Sequence, residues 1–233
     1  MEFIPYASSS HGNFYKLAGD DGSRLLLECG IPIAEIKRYL DFDLSDISGC
    51  LLSHLHGDHA KSAREIMYHG VDLYCSYGTA EKLDLSGHRL HVIKAMEQFS
   101  IGPWSIMPFD TEHDAPEPLG FLIANKESKL LFATDTYFIK PRFSGLTHVC
   151  VECNWSKEAL NPDLNPTRKK RLMESHMGIH TLKDFLLANE LKNVKEIHLL
   201  HLSDENSDAE KFESDIVGLT GIPVFVAPRR AKL

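Results

Sequence analysis

The chain has 233 residues, 43% of them hydrophobic and 25% charged, which bounds it to one large globular domain or two small ones. A chain this long buries a substantial core unaided, so a metal it holds would serve function rather than folding. A net charge of -8 excludes a protein that coats nucleic acid through bulk charge, but not an enzyme with a local basic lip.

The opening MEFIPYASSSHGNFYKL has no basic start and no long apolar core, so it does not read as a signal peptide. No stretch approaches the roughly 20 apolar residues of a membrane span. A soluble, cytoplasmic protein with no membrane partner is expected. Residues 13–18 and 24–28 read as a strand pair turned at 19–22, and 33–40 has helical spacing. The short apolar run 47–53 reads as a buried strand that delivers the chain into His54-Leu55-His56-Gly57-Asp58-His59. A helix over 60–68 and a strand over 71–75 follow. The middle is strand-rich, at 98–109, 119–124, 129–133 and 148–153. The second half alternates, with helices over 168–174, 181–191 and 208–219 and strands over 196–202 and 223–227. No repeat or linker marks a boundary, so a single domain spanning 1–233 and mixing strands with helices is the simplest reading.

The run HLHGDH packs three imidazoles and a carboxylate into six residues. That mixture of nitrogen and oxygen donors suits zinc, manganese or iron and does not suit calcium. His54 and His56 point the same way if the backbone stays extended there. A turn through Gly57 then brings Asp58 and His59 towards a second nearby point. The five cysteines are odd in number and scattered. Cys150 and Cys153 form one CxxC without the second pair that a zinc ribbon needs, so the cysteines read as reduced and buried.

HLHGDH resembles the HxHxDH motif of the metallo-β-lactamase superfamily. The later motifs occur in the same order, with His113 in DTEHD, Asp135 in FATDT and His201 in LLHLS. The resemblance spans about residues 8–225. It implies an α/β fold built as a four-layer αββα sandwich and two divalent metal ions, zinc or manganese. His54, His56 and His113 would hold one ion, and Asp58, His59 and His201 the other. Asp135 would bridge them. The family usually has Asp in a run like LIDAG, where this chain has Glu28 in LLLECG. Glu28 is therefore expected to support a ligand in an altered way.

Two metals a few ångströms apart can lower the pKa of a shared water and polarise the group under attack. That chemistry fits phosphodiesters, thioesters, lactones and lactams alike, with Asp58 among the catalytic residues. Glu152 in HVCVECNWS and His176 in ESHMG resemble the pair of transfer-RNA 3′-processing endonucleases, where a strand-end Glu holds a His that acts at the scissile phosphate. Together with SSSHGN and HLSDENSD, the order of motifs is similar to the small YycJ/WalJ-like phosphodiesterase and exonuclease group. A nucleic-acid substrate, DNA over RNA, is the resulting expectation. Arg168, Lys169, Lys170 and Arg171, just before His176, would grip the backbone. The alternatives are a thioester or lactone hydrolase and a catalytically silent binding module.

Overall fold

The computed structural model describes residues 1–232. The first elements are β1 (Glu2–Ser9), β2 (Gly12–Ala18), β3 (Arg24–Leu27), α1 (Ile33–Tyr39), β4 (Ile47–Leu51), α2 (Gly57–Ala60), α3 (Ala63–Tyr68), β5 (Leu73–Cys75), α4 (Tyr77–Lys82) and β6 (Leu90–Val92). Then come β7 (Phe99–Ile101), β8 (Trp104–Asp110), β9 (Leu119–Ala124), β10 (Lys129–Ala133) and β11 (His148–Glu152). The last are α5 (Pro166–Ser175), α6 (Ile179–Ala188), β12 (Glu196–Leu200), α7 (Ala209–Thr220) and β13 (Val224–Val226). The chain divides into two compact units. The first comprises Met1–Asp110, Ala115–Glu127 and the residues from Pro228; the second comprises Thr111–Asp114 and Ser128–Ala227.

The first unit holds a six-stranded sheet ordered β1-β2-β3-β4-β5-β6. Its first three strands pair antiparallel and the rest parallel. β1, α4 and β6 are elements that the sequence reading did not expect. Strand alternation in EFIPYASS is broken by a register shift between Pro5 and Ala7, a bulge that defeats a simple period-two reading. The helix expected over 60–68 is two helices. Ser62 interrupts the ladder because its N–H donates to the Cys29 carbonyl at 2.9 Å and its hydroxyl to the Ile31 carbonyl at 2.7 Å. The strand expected over 98–109 is a hairpin folded at Gly102-Pro103, with Gly102 at φ 53° and Ile101 facing Trp104. Phe14, Leu26, Ile36, Ile66 and Leu73 are fully or almost fully buried in this unit's core. Each such side chain stabilises the fold by about 1.5–3 kcal/mol.

In the second unit the strand order is β13-β12-β11-β10, and in the first unit β9, β8 and β7 pair antiparallel in that order. Strands β10 to β13, in the second unit, run parallel. Their sequences LLFA, HVCVE and EIHLL are nearly continuous apolar runs, as expected of parallel strands covered on both faces. Register pairs Ala133 with Val151 and Glu152 with Leu200. The residues just beyond these positions, Asp135 and His201, therefore reach the same carboxyl edge as Glu152. That edge is where ligands collect in open parallel sheets. All five cysteines are free thiols and buried. Among the described residues no helix is long and apolar enough to cross a membrane.

Candidate metal centre

In the first unit, β4 ends at Leu51 and the chain continues through Ser53 into the ligand loop. The Ser53 hydroxyl sits 2.9 Å from His54 Nδ1, which leaves His54 Nε2 facing His56 Nδ1 at 3.0 Å. That spacing fits an N–H···N hydrogen bond and equally two ligands of one cation. His56 is the N-cap of α2, and its carbonyl accepts from both His59 N and Ala60 N at 2.9 Å. Asp58 and His59 thus ride on the first turn of a helix. Glu28 is fully buried, with φ 62° at the end of β3. Its carboxylate accepts from Ser53 N at 3.3 Å and lies 3.5 Å from His59 Nδ1. The longer side chain thereby supports a ligand histidine as well as the loop that carries His54.

Gly30 makes the close packing of this loop possible. A Cβ there would lie 1.7 Å from the Asp58 carbonyl oxygen and 2.7 Å from His59 N. Asn13 is a site residue that sequence reasoning missed. Its Nδ2 reaches the Asp58 carbonyl at 3.1 Å and His59 Nε2 at 3.0 Å, and its Oδ1 accepts from the Tyr15 hydroxyl at 3.0 Å. The only signal was its place in SSSHGN.

In the second unit, Glu152 is fully buried at the end of β11. Its Oε1 lies 2.6 Å from His176 Nδ1 and 3.2 Å from His201 Nδ1, and its Oε2 accepts from Thr136 N and Met177 N at 3.0 Å each. Burial opposes ionisation of this carboxyl, but His176 and the hydrogen bonds outweigh it, so its pKa falls below the ordinary carboxylate value. Burial likewise opposes charge on His176, and the Glu152 carboxylate overturns that to raise its pKa. Asp135 and His201 both stand at positive φ, 44° and 50°, conformations that non-glycine residues hold only where the surroundings impose them. His113 Nδ1 is 2.8 Å from the Ser175 carbonyl, and its Nε2 lies 3.7 Å from Asp135 Oδ2. One donor atom from each of Asp135, Glu152, His176 and His201 lies within 4.8 Å of the others. Asn154, also missed, donates to the His201 carbonyl at 2.6 Å.

Arg168, Lys169, Lys170 and Arg171 all fall on α5 and are exposed. Asn165 caps this helix and Pro166 opens it. Arg171 bonds Asp114 at 2.7 Å, and Lys170 pairs with Glu174 at 3.9 Å. These two cations are partly neutralised within the chain. The cleft beside them, about 470 Å³, is lined by His113 and Tyr137 but also by Glu112, Asp114 and Glu174. His11 and His180 are exposed and stand outside these ligand sets.

Residues 23–201 match the family model of the beta-lactamase superfamily domain. The chain belongs to that superfamily. It is 27% identical over 228 residues to the exodeoxyribonuclease YycJ of Bacillus anthracis, covering 90% of this chain and 85% of that protein. The fold matches the metallo-β-lactamase fold protein YhfI of Bacillus subtilis with a TM-score of 0.70 at 15% identity, over 99% of each chain. Zn²⁺-bound PqqB of Methylobacterium extorquens matches with a TM-score of 0.70 at 12% identity, over 100% of this chain and 99% of that one. The α/β architecture is thus the metallo-β-lactamase fold, and the chain is a metal-dependent hydrolase of that superfamily. Its own donor sets fit such ions, because imidazole nitrogens and carboxylate oxygens converge in each unit with their outer atoms already held by Ser53, Glu28, Ser175 and Glu152.

Proposed function

We propose that this hydrolase is a dinuclear phosphodiesterase acting on nucleic acid, on DNA in preference to RNA, and from a strand end. The metals in this reading are zinc or manganese. His54, His56 and His113 would hold one ion, Asp58, His59 and His201 the other, and Asp135 would serve both. Such ions, when bound, would supply an acidified water and offset charge on the phosphoryl oxygens.

The observation that carries the reading is the 2.6 Å contact between Glu152 and His176. A buried carboxylate that keeps an imidazole protonated makes a proton donor, and a phosphodiester with an alkoxide leaving group needs one. A thioester, whose thiolate departs without a proton, has no such need. Similarity to an exodeoxyribonuclease supports the same substrate class. Arg168 and Lys169 would add phosphate contacts at the rim.

The test is metal-replete protein incubated with end-labelled single- and double-stranded DNA and RNA. Stepwise shortening of DNA from one end is expected. Uncut nucleic acid together with rapid hydrolysis of a lactone or thioester would overturn the reading.

A further inference from the structure

The helical turn that carries Asp58 and His59 continues into a groove on the first unit. Leu55 and Gly57 open a cleft floored by Ala60, Ala63 and Leu85. Arg64 lines this cleft and also the adjoining one, which ends at Tyr68, His88 and Arg89. The two clefts therefore adjoin at the Arg64 side chain. Lys61, which caps the end of α2, and Arg64, Glu65 and Tyr68, on α3, are all exposed.

The charged side chains that line the two clefts are mainly basic. Their walls carry Lys61, Arg64 and Arg89 against one acid, Glu65. Arg64 is braced across the groove by a 2.6 Å bond to the Leu83 carbonyl. Its acidic neighbour, Asp84, is 3.5 Å away and 99% exposed, so water screens that pair. Arg89 bonds Asp72 at 2.9 Å through one nitrogen and keeps further donors on its guanidinium. Tyr68, 87% exposed, presents a large aromatic face at the far end. The cleft beside α5 offers Lys170 and Arg171 against three acids. A polyanion is better matched by the first groove than by the basic run.

We propose that this groove is the track for a single strand of nucleic acid. Lys61, Arg64 and Arg89 contact its phosphates, and a base stacks on Tyr68. Cations along a groove with an interleaved aromatic are the means by which single strands are held without sequence preference. The proposal rests on the nuclease reading and names where its substrate lies.

Binding of a fluorescent, phosphorothioate-linked oligothymidine to the full metal-loaded chain, followed by anisotropy over a salt series, tests it. Replacing Lys61, Arg64 and Arg89 by Ala should weaken binding and flatten the salt dependence by about 0.7 log unit per lost contact. Tyr68→Ala should weaken binding on the order of tenfold, and Tyr68→Phe, which keeps the ring, should not. Lys61 and Tyr68 make no side-chain hydrogen bond among the described residues. Lys61→Glu with Tyr68→Ala is therefore a second variant that breaks no side-chain hydrogen bond of the groove. A groove variant with the parent's affinity and slope overturns the track, most clearly if replacing Arg168 to Arg171 abolishes binding. A parent that binds the probe through this groove yet cuts no nucleic acid upholds the track and removes the nuclease reading. A parent that binds no probe overturns the track whatever it cuts.

Discussion

Glu152 is the residue on which the second unit's chemistry turns. It accepts from two imidazoles and two backbone amides while fully buried. Its charge raises the pKa of His176 above the ordinary 6.5, against the opposing effect of burial. A donor must be protonated, so activity should fall as pH rises through that raised value. Glu152→Gln removes the raising influence and should move this falling limb to lower pH; an unmoved limb in the pH–rate profile would assign it elsewhere. His176→Ala should slow ordinary phosphodiesters by about 10²–10⁴-fold. It should slow bis-(p-nitrophenyl) phosphate far less, because nitrophenolate departs without a proton. Equal losses on both substrates would make His176 a binding residue. In the first unit, Gly30→Ala forces a methyl group into the Asp58 carbonyl. Loss of bound metal on elemental analysis, with circular dichroism unchanged, is the expected outcome. Full metal content would mean that the loop tolerates displacement.

At the scale of elements, the sequence reads well wherever a residue's role is written in its own type. Three imidazoles and a carboxylate in HLHGDH are legible because no ordinary loop needs them. Asp135, Glu152 and His201 are legible as polar residues that end apolar strands. Asn13, Asn154 and Ser53 are not, since their importance comes from the partners that the fold brings to them. The break between α2 and α3 was hidden for the same reason. It is made by Ser62 bonding Cys29 and Ile31, more than 30 residues away, and the composition of 60–68 contains no glycine or proline to announce it. The hairpin at Gly102-Pro103 did carry a turn signal, and the apolar pattern on either side outweighed it. What secures α3 is burial. Ile66 is fully buried in the first unit's core. Ile66→Ala should cost about 2–5 kcal/mol in urea unfolding. A cost near zero would mean that α3 is not held by that face.

For the whole molecule, the two units each bring part of the proposed ligand set, the first His54, His56, Asp58 and His59 and the second His113, Asp135 and His201. On that proposal the ions would bind the folded chain and not the unfolded one. Chelation should therefore lower the melting temperature, and returning zinc or manganese should restore it. Free ion at a hundred times its Kd contributes about 2.7 kcal/mol. The net charge of -8 gives a polyanionic substrate no overall attraction, so its capture should depend on the metals and local cations and weaken steeply with salt. The account stands or falls on the two ions. An anomalous difference map from crystals grown with zinc should show two peaks. His54, His56 and His113 should lie about 2.0–2.2 Å from one, Asp58, His59 and His201 should surround the other, and Asp135 should reach both. A single peak, or two peaks that leave His113 or His201 uncoordinated, would contradict it.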